Sequence, residues 1–262
     1  MKLSPLVFVG VIAAVSSAHA ADLPTHKAAP PPAPAPLPFS WTGAYGGVYA
    51  GGSFGGTNMQ ELNGPGELAF VPGQATSVNI DPSGFVAGGF AGYNYQFPSS
   101  VVLGGELEAG GSSASAKGST YSGVIPGEPP ILNNIPTYNK LNLPWEFRAR
   151  ARLGWADGAF LPFIAGGLSV TEAQLDLTFP CPNFPAPGVT TYTTNSSKTL
   201  TGFNIGAGLD WAITPNIIAR AEYIFDDYGT PSFPEDGTLG WNNRKLSNLT
   251  DNTFRLAIGH KF

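Results

Sequence analysis

The 262-residue chain offers little to an enzyme. Its three histidines are His19, His26 and His260, and its single cysteine is Cys181. That excludes an intrachain disulfide and a cysteine-cluster zinc site, and it leaves a Ser–His mechanism without a base where one would be needed. No HExxH occurs, and Gly206-Ala207-Gly208-Leu209-Asp210-Trp211 fails the GxGxxG pattern at its last position. No cofactor is expected. What the chain carries instead is charge at every second position. Glu146, Arg148, Arg150 and Arg152 form one such run, Glu106 and Glu108 a second, Arg220 and Glu222 a third. Asp210, Arg255 and Lys261 each sit in an alternating stretch of their own. Spacing of two puts side chains on one face of a strand. The chemistry open to these groups is pairing, carboxylate against guanidinium, between neighbouring strands.

The elements that position them are strands throughout. From Phe39 onward period-two alternation dominates, clearest where Leu141, Leu143, Trp145, Phe147, Ala149, Ala151, Leu153 and Trp155 alternate with the first charged run. Eight strands are expected, near 41–54, 85–97, 101–111, 141–155, 160–174, 199–213, 217–225 and 253–262, the first and fifth being ambiguous in phase. Their connections alternate strictly. Short ones fall at 98–100, 156–158 and 214–216; long ones at about 55–83, 113–139, 177–197 and 230–249. Every long loop then leaves from the same end, an asymmetry of membrane-spanning barrels that soluble sandwiches have no reason to show. The expected fold is all-β: an eight-stranded antiparallel up-and-down transmembrane β-barrel with four long outer loops and three short periplasmic turns.

In such a barrel the apolar phase meets lipid and the charged phase is enclosed. The inward network is expected to comprise Glu106, Glu108, Glu146, Arg148, Arg150, Arg152, Asp210, Arg220, Glu222, Arg255 and Lys261. Eight strands leave an interior that side chains fill, so these charges are expected to pair as a structural plug rather than line a wide pore. An aromatic girdle is expected at each interface. Trp41, Tyr95, Phe97, Trp155, Trp211 and Phe262 fall at the periplasmic level, and Trp145, Tyr223 and Phe225 at the outer one.

Composition agrees with that class. Charged residues are 12% of the chain, about half the usual share, and the net charge of −5 argues against a nucleic-acid partner. Met1-Lys2, an apolar run over 6–15 and Ala18-His19-Ala20 read as a signal peptide over 1–20. Residues 21–38, rich in proline and alanine, read as an extended periplasmic tether, leaving 39–262 as the barrel.

Four stretches carry a family resemblance: Trp41-Thr42-Gly43-Ala44-Tyr45, RARARLGWADGAFLPFIAGG over 148–167, GFNIGAGLDWAITPNIIARAEYIFDDYG over 202–229, and the ending TFRLAIGHKF. Together they resemble the small OmpA-like or porin-family outer-membrane barrels of Gram-negative bacteria, a group that includes surface antigens and haemin-binding barrels. The resemblance implies a place in the outer membrane with both termini periplasmic, and no shared catalytic residues. It also implies that Phe254, Leu256, Ile258 and Phe262 form the signal read by the outer-membrane assembly machinery, with His260 where an aromatic or aliphatic residue is usual.

Partners expected are outer-membrane lipids, lipopolysaccharide and that machinery. Phe70, Tyr121, Tyr138, Phe179, Phe184, Tyr192, Phe233 and Trp241 in the outer loops suit a host or small-molecule ligand, and Glu61, Glu67 and Asp81 make the first loop acidic. The expected function is structural or surface-interacting and non-enzymatic. The alternatives are a low-conductance pore, or a haemin-binding or adhesion barrel.

Overall fold

The computed structural model of the chain describes residues 39–62, 77–121, 136–180, 190–233 and 243–262. The expected signal peptide and tether lie outside the described residues, as do Glu67, Phe70, Cys181, Phe184 and Trp241. The strands are β1 (Gly43–Leu62), β2 (Ser77–Ile80), β3 (Ser83–Gln96), β4 (Val101–Tyr121), β5 (Pro136–Trp155), β6 (Phe160–Pro180), β7 (Thr191–Ala212), β8 (Ile217–Asp227), β9 (Ser232–Phe233) and β10 (Asn243–Lys261).

They form one antiparallel sheet in the order β2-β1-β3-β4-β5-β6-β7-β8-β10-β9, and β1 also pairs with β10 from Tyr45↔Lys261 to Leu62↔Asn243. Short β2 continues β3 along β1 past Asp81 and Pro82, and short β9 runs beside the far end of β10. Eight staves therefore close into a ring. Closure is what a strand-based membrane protein requires, because an open edge would leave backbone N–H and C=O groups unpaired in hydrocarbon.

At one end the chain reverses in tight turns. Ser100 (φ 67°) and Gly158 (φ 57°) supply the left-handed residues of two of them, between β3 and β4 and between β5 and β6. The opposite end carries the long connections, but they are shorter than the alternation suggests. β4 and β5 stay paired to Tyr121↔Pro136, and β6 and β7 to Pro180↔Thr191. Much of 113–139 and 177–197 is thus sheet, not loop. These extensions are rich in Ser, Thr, Asn and Gly, so their strand character is hidden from a hydrophobic pattern.

Outward side chains make the apolar belt: Val48, Leu103, Leu107, Leu153, Ile164, Leu168, Ile205, Leu209, Leu256 and Ile258 are all exposed. Inside, three layers stack along the axis. Trp41, Val102, Ala156, Leu161, Ala212 and Ile218 pack together at the turn end. An ionic layer follows. Above it Met59, Ile80, Leu141, Leu143, Leu175, Leu246, Leu249 and their neighbours fill the loop-end half.

Irregularities in the ladder mark the passage into that upper layer. The β4–β5 register shifts between Gly111 and Ala114, opposite Pro144, and the β5–β6 register between Asn142 and Glu146. Pro144 has no N–H to donate, and a bulge is where a closed barrel can hold it. The shift flips the phase of β5: Glu146, Arg148, Arg150 and Arg152 point inward below it, Leu141 and Leu143 above it. Leu141 and Leu143 therefore do not share the lipid face with Phe147 and Leu153, as unbroken alternation implies.

Candidate functional site

The ionic layer is assembled by register. Glu106 stands directly opposite Arg150, and Glu108 opposite Arg148, on β4 and β5; Asp210 faces Arg220 across β7 and β8; Arg255 faces Glu222 across β10 and β8. All ten of these inward groups, Glu146 and Arg152 included, are buried.

Their contacts form three linked knots. In the upper one Arg148 donates from Nη1 and Nη2 to Glu146 (2.7 and 3.0 Å) and from Nε and Nη2 to Asp226 (3.0 and 2.7 Å). Glu146 also accepts the Tyr49 hydroxyl (2.9 Å), and Asp226 accepts that of Ser169. In the middle knot Arg150 Nη1 lies 2.9 Å from Glu108 Oε1 and 2.6 Å from Glu222 Oε1. Arg255 there forks onto both Glu108 oxygens (2.7 Å each) and reaches Glu222 Oε2 (2.7 Å). In the lower knot Arg220 donates to Asp210 (2.7 Å) and Glu106 (2.8 Å), and Arg152 to Asp210 (2.7 Å). The Tyr45 hydroxyl accepts from Arg152 (2.7 Å) and donates to Glu106 (2.8 Å).

Aromatic faces lie over three of the five guanidinium groups. Arg152 lies 3.9 Å from the Phe163 ring centroid, Arg255 4.3 Å from Tyr49 and Arg220 4.6 Å from Phe90. Stacking and forked pairing offset the desolvation cost that an isolated buried cation would bear uncompensated.

Glu106, Glu108 and Glu222 bring carboxylate oxygens within 4.8 Å of one another, a spacing a metal ion could use. Arg150, Arg220 and Arg255 already occupy those oxygens, so a cation would first have to displace a guanidinium. What the arrangement does is tie strands from around the ring together across the interior.

Not every expected residue belongs here. Lys261 lies beyond the layer, half-buried at the turn-end mouth, with Nζ 5.6 Å from the Phe39 ring centroid and no ion pair among the described residues. Its partial exposure leaves the ammonium within reach of water. Trp41 is not part of a lipid-facing girdle. It is 1% exposed, stacks edge-on against Phe39 and donates its indole N–H to the Gly158 carbonyl (3.3 Å), closing the barrel from within. The reason is phase: Trp41, Tyr45, Tyr49 and Ser53 all point inward along β1 and its lead-in.

Tyr95, Phe97, Trp155, Trp211, Tyr223 and Phe262 are outward and exposed; Trp145 and Phe225 are outward and partly covered, Trp145 through its N–H to Glu172 (2.9 Å). Phe254, Leu256 and Ile258 share the exposed face of β10 with Phe262 beyond its end.

Tyr45, Tyr49 and Ser169 are network members that the charge pattern alone does not announce, and Asp226 is a fourth that the expected network omits. Asp226 had a signal, since it continues the parity of Arg220 and Glu222. Two residues assigned to loops are interior instead. Phe233 is buried in the upper apolar layer, and Glu61 is buried on β1, where it accepts from Thr120 Oγ1 (2.5 Å) and pairs with Arg244 (2.9 Å). Tyr138 sits on the outward face of β5 rather than in a loop, and Asp81 in the short break between β2 and β3.

A ring of strands, apolar outside and ionic within, is an inverted protein, and the solvent it fits is a lipid bilayer. The class is a transmembrane β-barrel. The profile of the family described as outer membrane protein beta-barrel domain matches residues 9–262, and the chain belongs to that family. It is 28% identical to a 31 kDa outer-membrane immunogenic protein of Brucella melitensis, over 98% of this chain and 99% of that one. It is 27% identical to a 25 kDa outer-membrane immunogenic protein of the same organism, over 100% and 99%. Among solved structures it is similar to the outer membrane protein OprG of Pseudomonas aeruginosa, with 14% identity, a TM-score of 0.45, and coverage of 84% of this chain and 96% of that one. The protein is thus an outer-membrane β-barrel.

Proposed function

We propose that this protein is a sealed, non-enzymatic envelope barrel that acts through its outer wall and loops, with its tight turns and both chain ends in the periplasm. One observation carries the reading: two apolar layers bracket an ionic layer whose five arginines are all paired, which suits a plug. An eight-stranded ring has room for such a filling and little else. The orientation is supported by the turn asymmetry, since membrane barrels of this kind keep their short connections inside. The exposed alternating residues Phe254, Leu256, Ile258 and Phe262 support recognition of the last strand by the assembly machinery.

Planar-bilayer recording of the purified protein tests the plug. Small or absent conductance is expected, and large stable openings would reverse the assignment. Steady turnover of lipid A or of a peptide by the pure protein would end the non-enzymatic reading.

A further inference from the structure

The outer wall carries a feature that the fold does not need. Lys117 on β4 and Lys140 on β5 are directly opposite one another, and both side chains point outward. Opposite residues of an antiparallel pair have Cβ atoms only about 5 Å apart, and like charges so placed destabilise the sheet. A carboxylate is near: Asp176 stands opposite Lys140 on β6. Asp176 accepts the side-chain amides of Asn195 (2.6 Å) and Asn142 (3.5 Å) and keeps its charge, and neither lysine has an ion pair within 4.0 Å among the described residues. Two ammonium groups thus stand beside one carboxylate, which leaves the site a net surplus of one positive charge.

They also line a concavity of about 600 Å³ with Tyr138, Asp176, Thr178 and Thr193. Tyr138 offers an exposed ring, and the hydroxyls of Thr178 and Thr193 lie 3.1 Å apart. Two cations, an aromatic face and paired hydroxyls are the recognition set of an anionic sugar.

Location selects the source. The concavity is on the side of the barrel, so what it faces is a neighbour in the membrane plane. Going down β5 from Lys140, the outward wall changes from polar to Trp145 at the interface and then to Phe147, Ala149, Ala151 and Leu153. Lys140 stands five positions above Trp145, roughly 16 Å along the strand. One molecule that matches this wall from bottom to top is an amphiphile with acyl tails and an acidic or phosphorylated saccharide head that rises well above the acyl boundary. We infer that Lys117 and Lys140 form a docking site for the anionic inner-core sugars of lipopolysaccharide in the outer leaflet. The inference rests on the proposed orientation, which puts this end of the barrel outside.

The test uses the folded full chain in detergent micelles, titrated with rough lipopolysaccharide carrying only inner-core sugars, with lipid A alone, and with a soluble sulfated oligosaccharide, and read by native mass spectrometry. Rough lipopolysaccharide should bind most tightly. Lys117→Gln and Lys140→Gln should each weaken it about tenfold, the size of one charge-assisted contact. Lys198→Gln, whose ammonium instead donates to the Ser232 carbonyl, should leave binding unchanged.

Without lipid, neither of the paired-lysine variants should lose stability, because each removes a repulsion. Retention of the heat-modifiable gel shift establishes folding in every case. Unchanged binding by the protein carrying both Lys117→Gln and Lys140→Gln, equal weakening by Lys198→Gln, or lipid A held as well as rough lipopolysaccharide would overturn the site. So would tighter capture of the soluble oligosaccharide. The orientation is checked separately, by surface labelling of an epitope inserted within 122–135 on intact cells. Inaccessibility there would sink the orientation whatever the micelle titration gives.

Discussion

Two stretches of the same cylinder solve opposite problems. In the lower stretch the outside is Leu, Ile and Phe and the inside is Arg, Glu and Asp; in the upper stretch Lys117, Lys140 and Thr193 face out and Leu141, Leu175 and Leu246 face in. The backbone ladder between neighbouring strands is nearly the same in both. Solvent decides which arrangement is stable: hydrocarbon admits an apolar exterior and forces charge inward, while water above the leaflet restores the ordinary order. In β5 and β10 the switch is made by changing phase rather than by changing residue type. β5 keeps apolar side chains on odd positions from Leu141 to Trp155 and lets the bulge at Pro144 send them to different sides. Slipping one residue flips every side chain beyond it.

The sharpest way to break this comparison is to disturb each interior in its own terms. Arg148 is fully buried and holds Glu146 and Asp226 by four hydrogen bonds. Arg148→Met should leave two carboxylates without their cation and cost about 3–5 kcal/mol, measured by urea unfolding of the barrel refolded into lipid vesicles. Truncation in the upper layer is a different event, a cavity among apolar neighbours. Leu141→Ala should cost about 3 kcal/mol in the same assay. If Arg148→Met proved the milder of the two, the ionic layer would be a filling and not a fastening.

How much of this is readable beforehand depends on how strongly each residue is forced. Glu106, Arg150, Asp210 and Glu222 are legible because a charge on the lipid side is prohibitive, so parity alone assigns them. Trp41 is not forced, since indole is at home at an interface or in a plug, and on β1 glycine and apolar residues occupy both phases. Tyr45 and Tyr49 become intelligible only beside β3, where a Cβ on Gly92 would lie 2.5 Å from the Tyr45 hydroxyl and one on Gly88 2.6 Å from that of Tyr49. Those glycines make room for hydroxyls that the network uses as partners, a fact of neighbouring strands that one strand cannot disclose. The phase change at Pro144 is equally local in cause and invisible in pattern, because the alternation in 141–155 never breaks.

The exteriors can be compared with one side chain. Leu168, 61% exposed, lies near the middle of the apolar belt on β6. Leu168→Arg should cost about 2–4 kcal/mol by the vesicle assay, the midplane value for a basic group on a barrel's lipid face. Thr193→Arg, on the outward face of the upper stretch, should stay within about 0.5 kcal/mol. Equal costs would mean that both surfaces meet the same solvent, and the inversion would lose its cause.

The smallest effect asks whether the phase change on β10 is held by local backbone chemistry. Leu246 and Leu249 both point inward, three positions apart where alternation allows two or four, and Asn248 between them has φ of 54°. The β1–β10 register shifts at the same level, between Gly56 and Asn58. Asparagine tolerates the left-handed region, and a β-branched residue there is strained. Asn248→Val should therefore cost about 1–2 kcal/mol, and Asn248→Gly much less, although the side chain is exposed and lost packing is small. The two variants share a surface position and differ in the conformations they permit, so the gap between them measures what the bulge contributes. No gap would mean that the inward pull of Leu246 and Leu249 sets the phase by itself, with the turn of the backbone following at no cost.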